Sequence, residues 1–228
     1  MIVIKNARLR TALRWIIPLI AIPLLVLLGA TVFEAKRHLL VSFGMALLAA
    51  VLFLTGFERK LTGSRRLVLV AVMTALCIAG RFIPFFKPVT ALTIITAMYL
   101  GGEAGFLTGA MAALLSNFYF GQGPWTPFQM LSWGMIGLLA GWLHRPLKRS
   151  RALLLIYGLL SGMLYSLMLD VWTVLWYDGG FRWELYLTAL ITALPHTAVY
   201  SLSNLVFLFF LAKPFGEKLE RVRIKYGV

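Results

Sequence analysis

Long apolar stretches separated by short polar or basic ones make up most of this chain. Apolar runs cover roughly residues 15–33, 38–57, 66–84, 89–101, 104–120, 127–143, 152–177 and 184–212. As helices, runs of about 18 residues or more span the hydrocarbon core of a bilayer. The pattern therefore predicts an all-α, polytopic membrane bundle with eight crossings. The fourth and fifth runs are short and separated only by Gly101-Gly102-Glu103-Ala104-Gly105, which predicts a tight helical hairpin. The first two runs are rich in Leu, Val and Ala and almost featureless, and the basic linker FERKLTGSRR (57–66) follows them. This shift divides the chain into an N-terminal hairpin of unassigned role (1–62) and a six-helix core (63–228).

Composition agrees with the pattern. Of 228 residues, 61% are hydrophobic and 13% charged, about half the charged share of a soluble domain. The formal charge of +14 could point to nucleic acid, but the cations lie between apolar runs, with no basic domain interleaved with aromatics. Their placement reads as topology. With the N terminus in the cytoplasm, only Lys36, Arg37, Arg81, Lys87 and Arg182 of the 22 Lys and Arg residues fall outside. That bias matches the positive-inside rule with both termini cytoplasmic, in the cell membrane and against anionic lipid. Cys77, the single cysteine, lies in an apolar run and reads as a small buried residue.

Small residues form two kinds of stripe. Ala71, Ala75 and Ala79 recur at four-residue spacing, with Gly80 adjacent. Such a face suits close helix packing in lipid, either within the chain or against a partner membrane protein. Gly101, Gly105, Gly109 and Ala113, together with Gly137 and Gly141, suggest packing inside the chain, and Glu103 reads as a solvated carboxylate at a helix start.

Three segments assigned to the outer side combine aromatics, prolines and a few polar groups: RFIPFFKPVT (81–90), NFYFGQGPWTPFQ (117–129) and WYDGGFRWEL (176–185). An interfacial aromatic belt explains part of this. Pro124 and Pro127 bracketing Trp125, with Gln122 and Gln129 beside them, better fit a small-molecule pocket. The candidate ligand residues are Arg81, Phe85, Lys87, Asn117, Gln122, Trp125, Gln129, Trp133, Tyr165 and Asp170. The amides can exchange hydrogen bonds, the rings can supply stacking surface, and Asp170 is costly in lipid unless it faces the interior. His196 and Asn204 are also expected to face inward. The chain carries no metal-ligand spacing, no nucleophile motif and no P-loop, so it has no ATPase or cofactor chemistry of its own. A competing reading is a membrane enzyme acting on a lipid or isoprenoid, with Asp170, Asp178 and His196 as its polar centre.

Taken together, ALCIAG (75–80) leading into RFIPFFKPVTAL (81–92), then GGEAGFLTGAMAALLSNFYFGQGPWTPFQM (101–130), resembles the S components of energy-coupling factor (ECF) transporters. These are membrane subunits that capture vitamins. The similarity covers roughly residues 66–212 and is nearest to the cobalamin type, with importers of cobalamin precursors close by. The resemblance implies a six-helix core that binds its vitamin from outside. It also implies docking on a transmembrane coupling (T) subunit driven by two ATP-consuming cytoplasmic subunits, and toppling in the membrane to release substrate. It assigns the Ala71, Ala75 and Ala79 stripe to that docking, and it leaves residues 1–62 without a counterpart.

Overall fold

A computed structural model describes residues 4, 6–32, 37–56, 60–178 and 180–226, with the side chains of 60–63, 177 and 178 left aside. Lys5, Lys36 and Arg59, used in the charge count, and the side chain of Asp178 lie outside the described residues. Among these residues the chain is helical throughout, without strands. The helices are α1 (Ala7–Ile16), α2 (Ile22–Thr31), α3 (His38–Thr55), α4 (Lys60–Gly80), α5 (Val89–Leu100), α6 (Gly102–Phe120), α7 (Trp125–Trp142), α8 (His144–Arg149), α9 (Arg151–Asp178) and α10 (Trp183–Tyr226). A π-helical turn, Ile17–Ala21, joins α1 to α2 and carries Pro18, whose missing N–H cannot continue a regular α ladder. Four helical stretches are long and apolar enough to cross a membrane by length and composition: Ala7–Thr31, His38–Thr55, Arg151–Trp176 and Trp183–Tyr226.

The short helix α5 is the centre of the molecule. It packs against α4, α6, α7 and α10, and nearly all of its residues are buried. Its sequence, VTALTIITAMYL, is apolar all round, as a helix without a solvent face requires. Thr96 turns its hydroxyl back onto the Leu92 carbonyl at 2.7 Å, so this polar group is satisfied inside its own helix. Gly101, with φ of 96°, ends α5 and sends the chain straight into α6. The predicted hairpin at 101–105 is thus a turn between two buried helices.

Helices α6 and α7 form the most extensive pairing, and glycines explain it. A Cβ on Gly137 would fall 2.5 Å from the Gly105 carbonyl carbon, and one on Gly105 would fall 3.0 Å from the Gly137 carbonyl oxygen. The two backbones touch, which only glycine permits. Helices α9 and α10 form a second pair, in which Asn204 Nδ2 donates to the Gly158 carbonyl at 3.0 Å and Ser201 Oγ to the Leu159 carbonyl at 3.1 Å. Tyr157 ties this pair to α7 by donating to the Ile136 carbonyl at 2.6 Å.

The N-terminal hairpin lies against this core, with α3 along α6 and α7 and α2 reaching α7 and α9. It leaves one face of α4 uncovered. Val70, Met73, Thr74 and Cys77 of α4 point inward, whereas Ala71, Ala75 and Ala79 are exposed together with Val68 and Val72. Of the two uses open to the alanine stripe, packing inside the chain is not the one observed.

Glu103 is not solvated. It is buried beneath the hairpin, with Oε1 2.5 Å from Arg14 of α1 and Oε2 3.7 Å from Arg66 of α4. Arg66 also donates to the Gly56 carbonyl at 3.0 Å and to the Leu100 carbonyl. Glu103 and Arg66 together therefore tie the ends of α1, α3 and α5 and the starts of α4 and α6. A further difference concerns α10, which continues as helix to Tyr226, well past the apolar run ending near 212. Charged residues sustain the extension, with Arg223 3.2 Å from Glu220 one turn back.

Candidate functional site

At the opposite end of α4 from Glu103, four helices converge on a buried polar network. Arg81, the residue after α4, donates from Nη1 to Ser116 Oγ and, at 2.7 Å, to Asn117 Oδ1, both on α6. Asn117 Nδ2 donates to Thr126 Oγ1 at 2.9 Å and to Gln129 Oε1 at 2.8 Å, both on α7. Gln129 Nε2 donates to the Tyr165 hydroxyl of α9 at 3.0 Å. Thr126 donates to Gln122 Oε1 at 3.0 Å, and Gln122 Nε2 reaches the Leu114 carbonyl at 2.8 Å. Arg81, Asn117, Thr126 and Gln129 are buried, so each of these bonds operates in a low dielectric.

An aromatic ladder runs alongside. Trp133 and Tyr165 stack with centroids 4.9 Å apart and an interplanar angle of 19°, and Tyr165 and Tyr200 stack at 4.9 Å and 11°. His196 lies against Tyr200 at 4.7 Å. The Arg81 guanidinium sits over Phe120 at 4.8 Å and over Trp133 at 5.4 Å. This cation makes no carboxylate pair among the described residues, and its Nε is buried without a hydrogen-bond partner. The Trp133 indole N–H is likewise buried and unpartnered. Two unsatisfied donors at the meeting point of a cation and a flat aromatic stack have the chemistry that an acceptor-bearing planar ligand would use.

Six of the ten candidate ligand residues thus join one network: Arg81, Asn117, Gln122, Gln129, Trp133 and Tyr165. Trp125 stands beside it, its indole over Gly123 and edge-on to Trp172 at 5.6 Å. Lys87 borders it. Its backbone is clamped by Ser203, which accepts from the Lys87 N–H at 2.8 Å and donates to its carbonyl at 3.1 Å, and its Nζ lies 5.9 Å from the Phe120 ring. Burial, and then the Arg81 charge, lower the Lys87 pKa from its ordinary value. Two positions do not join. Phe85 is 80% exposed on a backbone φ of 62°, in the loop between α4 and α5. Asp170 is buried as expected but lies outside the hydrogen-bonded chain, and its Oδ2 has no partner.

His196 is exposed along α10, whereas its cost in lipid had predicted an inward position; Asn204 does point inward. Three participants escaped the sequence reading: Ser116, Tyr200 and Ser203. Ser116 and Ser203 look like ordinary helix serines, and only the return of a distant segment gives them a role. Tyr200 could have been found as an aromatic one turn from His196 on α10.

Among the clefts between the described residues, two lie between helices away from the network. One of about 170 Å³ lies between the N-terminal hairpin and the ends of α7 and α9, lined by His38, Pro124, Trp172 and Trp176 among others. The other, of about 570 Å³, opens at the far end between α5, α8, α9 and α10. No group of three or more metal-ligating side chains is present among the described residues.

A comparison with protein families gives a match over residues 62–218, which begins at α4 and leaves α1–α3 outside. The matching family is described as ECF-type riboflavin transporter, S component. Among curated proteins and among solved structures no match is found. The expected ECF resemblance is thereby met at the level of the S component, while the family named is the riboflavin type and not the cobalamin type. With the match covering α4 to most of α10, the chain belongs to the ECF-type S-component family.

Proposed function

We propose that this protein is the vitamin-capturing subunit of an ECF-type importer, and that its ligand is a planar aromatic vitamin of the flavin class. The observation that carries the reading is the Arg81 guanidinium, buried without a carboxylate between Asn117 and the Trp133–Tyr165–Tyr200 ladder. A flavin offers a flat ring for stacking and an edge of carbonyl acceptors around one N–H donor. The amides of Asn117 and Gln129, the Tyr165 hydroxyl and the Arg81 donors are complementary to that edge. These side chains now bond one another, so a ligand that replaces a few of the bonds loses little polar satisfaction on entry. A corrinoid is far bulkier and would have to displace the aromatic ladder as well. The family description supports the flavin class.

The positive-inside rule puts the Arg81 end outside and the Glu103 end in the cytoplasm. Capture would then occur at the outer face, with release following docking on a T subunit driven by two ATPase subunits. The exposed Ala71, Ala75 and Ala79 stripe is the docking face in this scheme. The N-terminal hairpin, lying along α6, α7 and α9, keeps clear of it.

Equilibrium binding of tritiated riboflavin and of labelled cobalamin to the purified protein tests the ligand. Riboflavin binding is expected; saturable cobalamin binding with no riboflavin binding would reverse the assignment. The Ala71→Leu/Ala75→Leu double variant tests docking. It is expected to bind ligand normally and to lose uptake in cells that carry the coupling subunits. Normal uptake by that variant would remove the docking role. The lipid-enzyme reading draws no support from the geometry, since Asp170 and His196 share no hydrogen bond or ion pair and the Asp178 side chain is not described.

A further inference from the structure

The larger cavity lies at the end of the bundle remote from Arg81 and takes no part in the network above. Its walls are of two kinds. Met98, Leu147, Leu154, Leu208, Phe209 and Ala212 make an apolar slot between α5, α8, α9 and α10. Above the slot stand Lys148, Arg151 and Lys213, with Glu217 and Glu220 on the outer turn of α10. Arg151 and Lys213 mark the limits of two apolar helical runs, since α9 begins at Arg151 and the last apolar run of α10 ends near 212. The cations therefore lie at the boundary where hydrocarbon gives way to headgroups, and the apolar slot lies on the hydrocarbon side.

The side chains around the slot are held in place. Lys148 pairs with Glu220 at 3.3 Å and its Nζ lies 3.8 Å over the Tyr99 ring. The Tyr99 hydroxyl fills the space beside Gly216, where α10 has no side chain, and so floors the cavity. Arg151 Nη2 donates to the Phe209 carbonyl at 2.9 Å, and its guanidinium lies 4.0 Å over the Phe209 ring. Lys213 is exposed and makes no hydrogen bond or ion pair among the described residues. The lining's three cations outnumber its two carboxylates, and Arg223 also pairs with Glu220, so the rim is net positive, as an anionic phosphodiester requires.

From this we infer that the cleft is a binding site for one anionic phospholipid. Its phosphate lies between Arg151 and Lys213, and an acyl chain runs along Leu154, Leu208 and Phe209. Charge at the rim, apolar surface below it and a position at the membrane boundary are the three features that such a lipid requires, and basic pockets between transmembrane helices meet them. Zwitterionic phosphatidylethanolamine offers the same acyl chains but no net charge, so the site distinguishes the two. The bound lipid would join α9 to α10 at the end where α8 separates them from α7.

Native mass spectrometry of the intact protein, released from nanodiscs of equimolar phosphatidylglycerol and phosphatidylethanolamine, tests the site. One phosphatidylglycerol is expected to be retained per chain. Each cation near a charged headgroup corresponds to about fivefold in affinity. Lys213→Gln is therefore expected to weaken retention about fivefold, and Arg151→Gln/Lys213→Gln about thirtyfold. Because Arg151 also holds α10, the double variant is accompanied by Leu154→Trp, which fills the slot and leaves every cation in place. This variant is expected to lose the lipid too. Equal retention of the two lipids, or undiminished phosphatidylglycerol on Lys213→Gln and Leu154→Trp, would overturn the proposal.

Discussion

Helix α4 has an arginine towards each end, the half-buried Arg66 and the buried Arg81 just past its last residue, and the two are treated differently. Arg66 meets the Glu103 carboxylate at 3.7 Å, donates to the carbonyls of Gly56 and Leu100, and lies over Phe53 at 5.4 Å. Arg81 meets only hydroxyl and amide oxygens, lies over two aromatic rings, and keeps an unpartnered Nε. The first arrangement gives Arg66 a carboxylate partner, shared with Arg14, and closes the end of the bundle. The second leaves a buried cation whose natural complement, an acceptor-rich or anionic group, has to come from elsewhere. A buried charge without a partner is costly. Its presence beside a stacked aromatic ladder is the ground on which we propose this end as the site and the Arg66 end as a clasp.

The comparison can be broken most severely at Glu103. Glu103→Gln removes the only carboxylate among the described residues near Arg66 and Arg14. Breaking a buried pair costs about 3–5 kcal/mol, so thermal unfolding in detergent should fall by the equivalent of that range. Ligand affinity of the folded fraction at low temperature should remain within about twofold. A loss of affinity as large as the loss of stability would mean that the two ends are not separate.

A smaller effect is expected at Tyr165, which links the amide chain to the ladder. Tyr165→Phe keeps the stack and deletes the hydroxyl that accepts from Gln129 and also bonds the Tyr200 hydroxyl. About 1 kcal/mol, or roughly fivefold, is expected in ligand affinity by equilibrium binding, with the ring contacts unchanged. The smallest effect concerns Arg14, whose side chain is 46% exposed although its partner is buried. Arg14→Gln should cost under about 1 kcal/mol of stability by the same unfolding assay, because an exposed partner is solvated and screened. A loss equal to that of Glu103→Gln would make Arg14, and with it the N-terminal hairpin, the principal counter-charge.

These contrasts were unevenly legible in the sequence. Helical spans, the glycine contact between α6 and α7, and the existence of the alanine stripe, though not the side it faces, follow from local spacing, because lipid rewards apolar length and small residues at helix crossings. Polar residues of the network were recognisable one at a time, since Asn117, Gln122 and Gln129 cluster within one segment. What local pattern could not supply was pairing across distance. Glu103 finds Arg14 only because α3 folds the hairpin onto α6, and Ser203 finds Lys87 only because α10 returns beside the loop before α5. The centrality of α5 was hidden for the same reason. A short apolar helix looks like an incomplete crossing until its neighbours are seen to surround it.

Arg81→Gln is the substitution on which the central claim turns. It removes the uncompensated charge while keeping an amide that can still reach Asn117. Hydrogen bonds to a charged group are worth about 1.5–3 kcal/mol, so riboflavin affinity should fall roughly tenfold to a hundredfold. The unfolding temperature should stay level or rise, opposite in sign to Glu103→Gln. The measurement is a riboflavin titration of wild-type and Arg81→Gln protein side by side, with unfolding recorded on the same samples. Weakened binding with undiminished stability is the predicted result. Unchanged affinity together with a large loss of stability would show that Arg81 is a second clasp and that the site lies elsewhere.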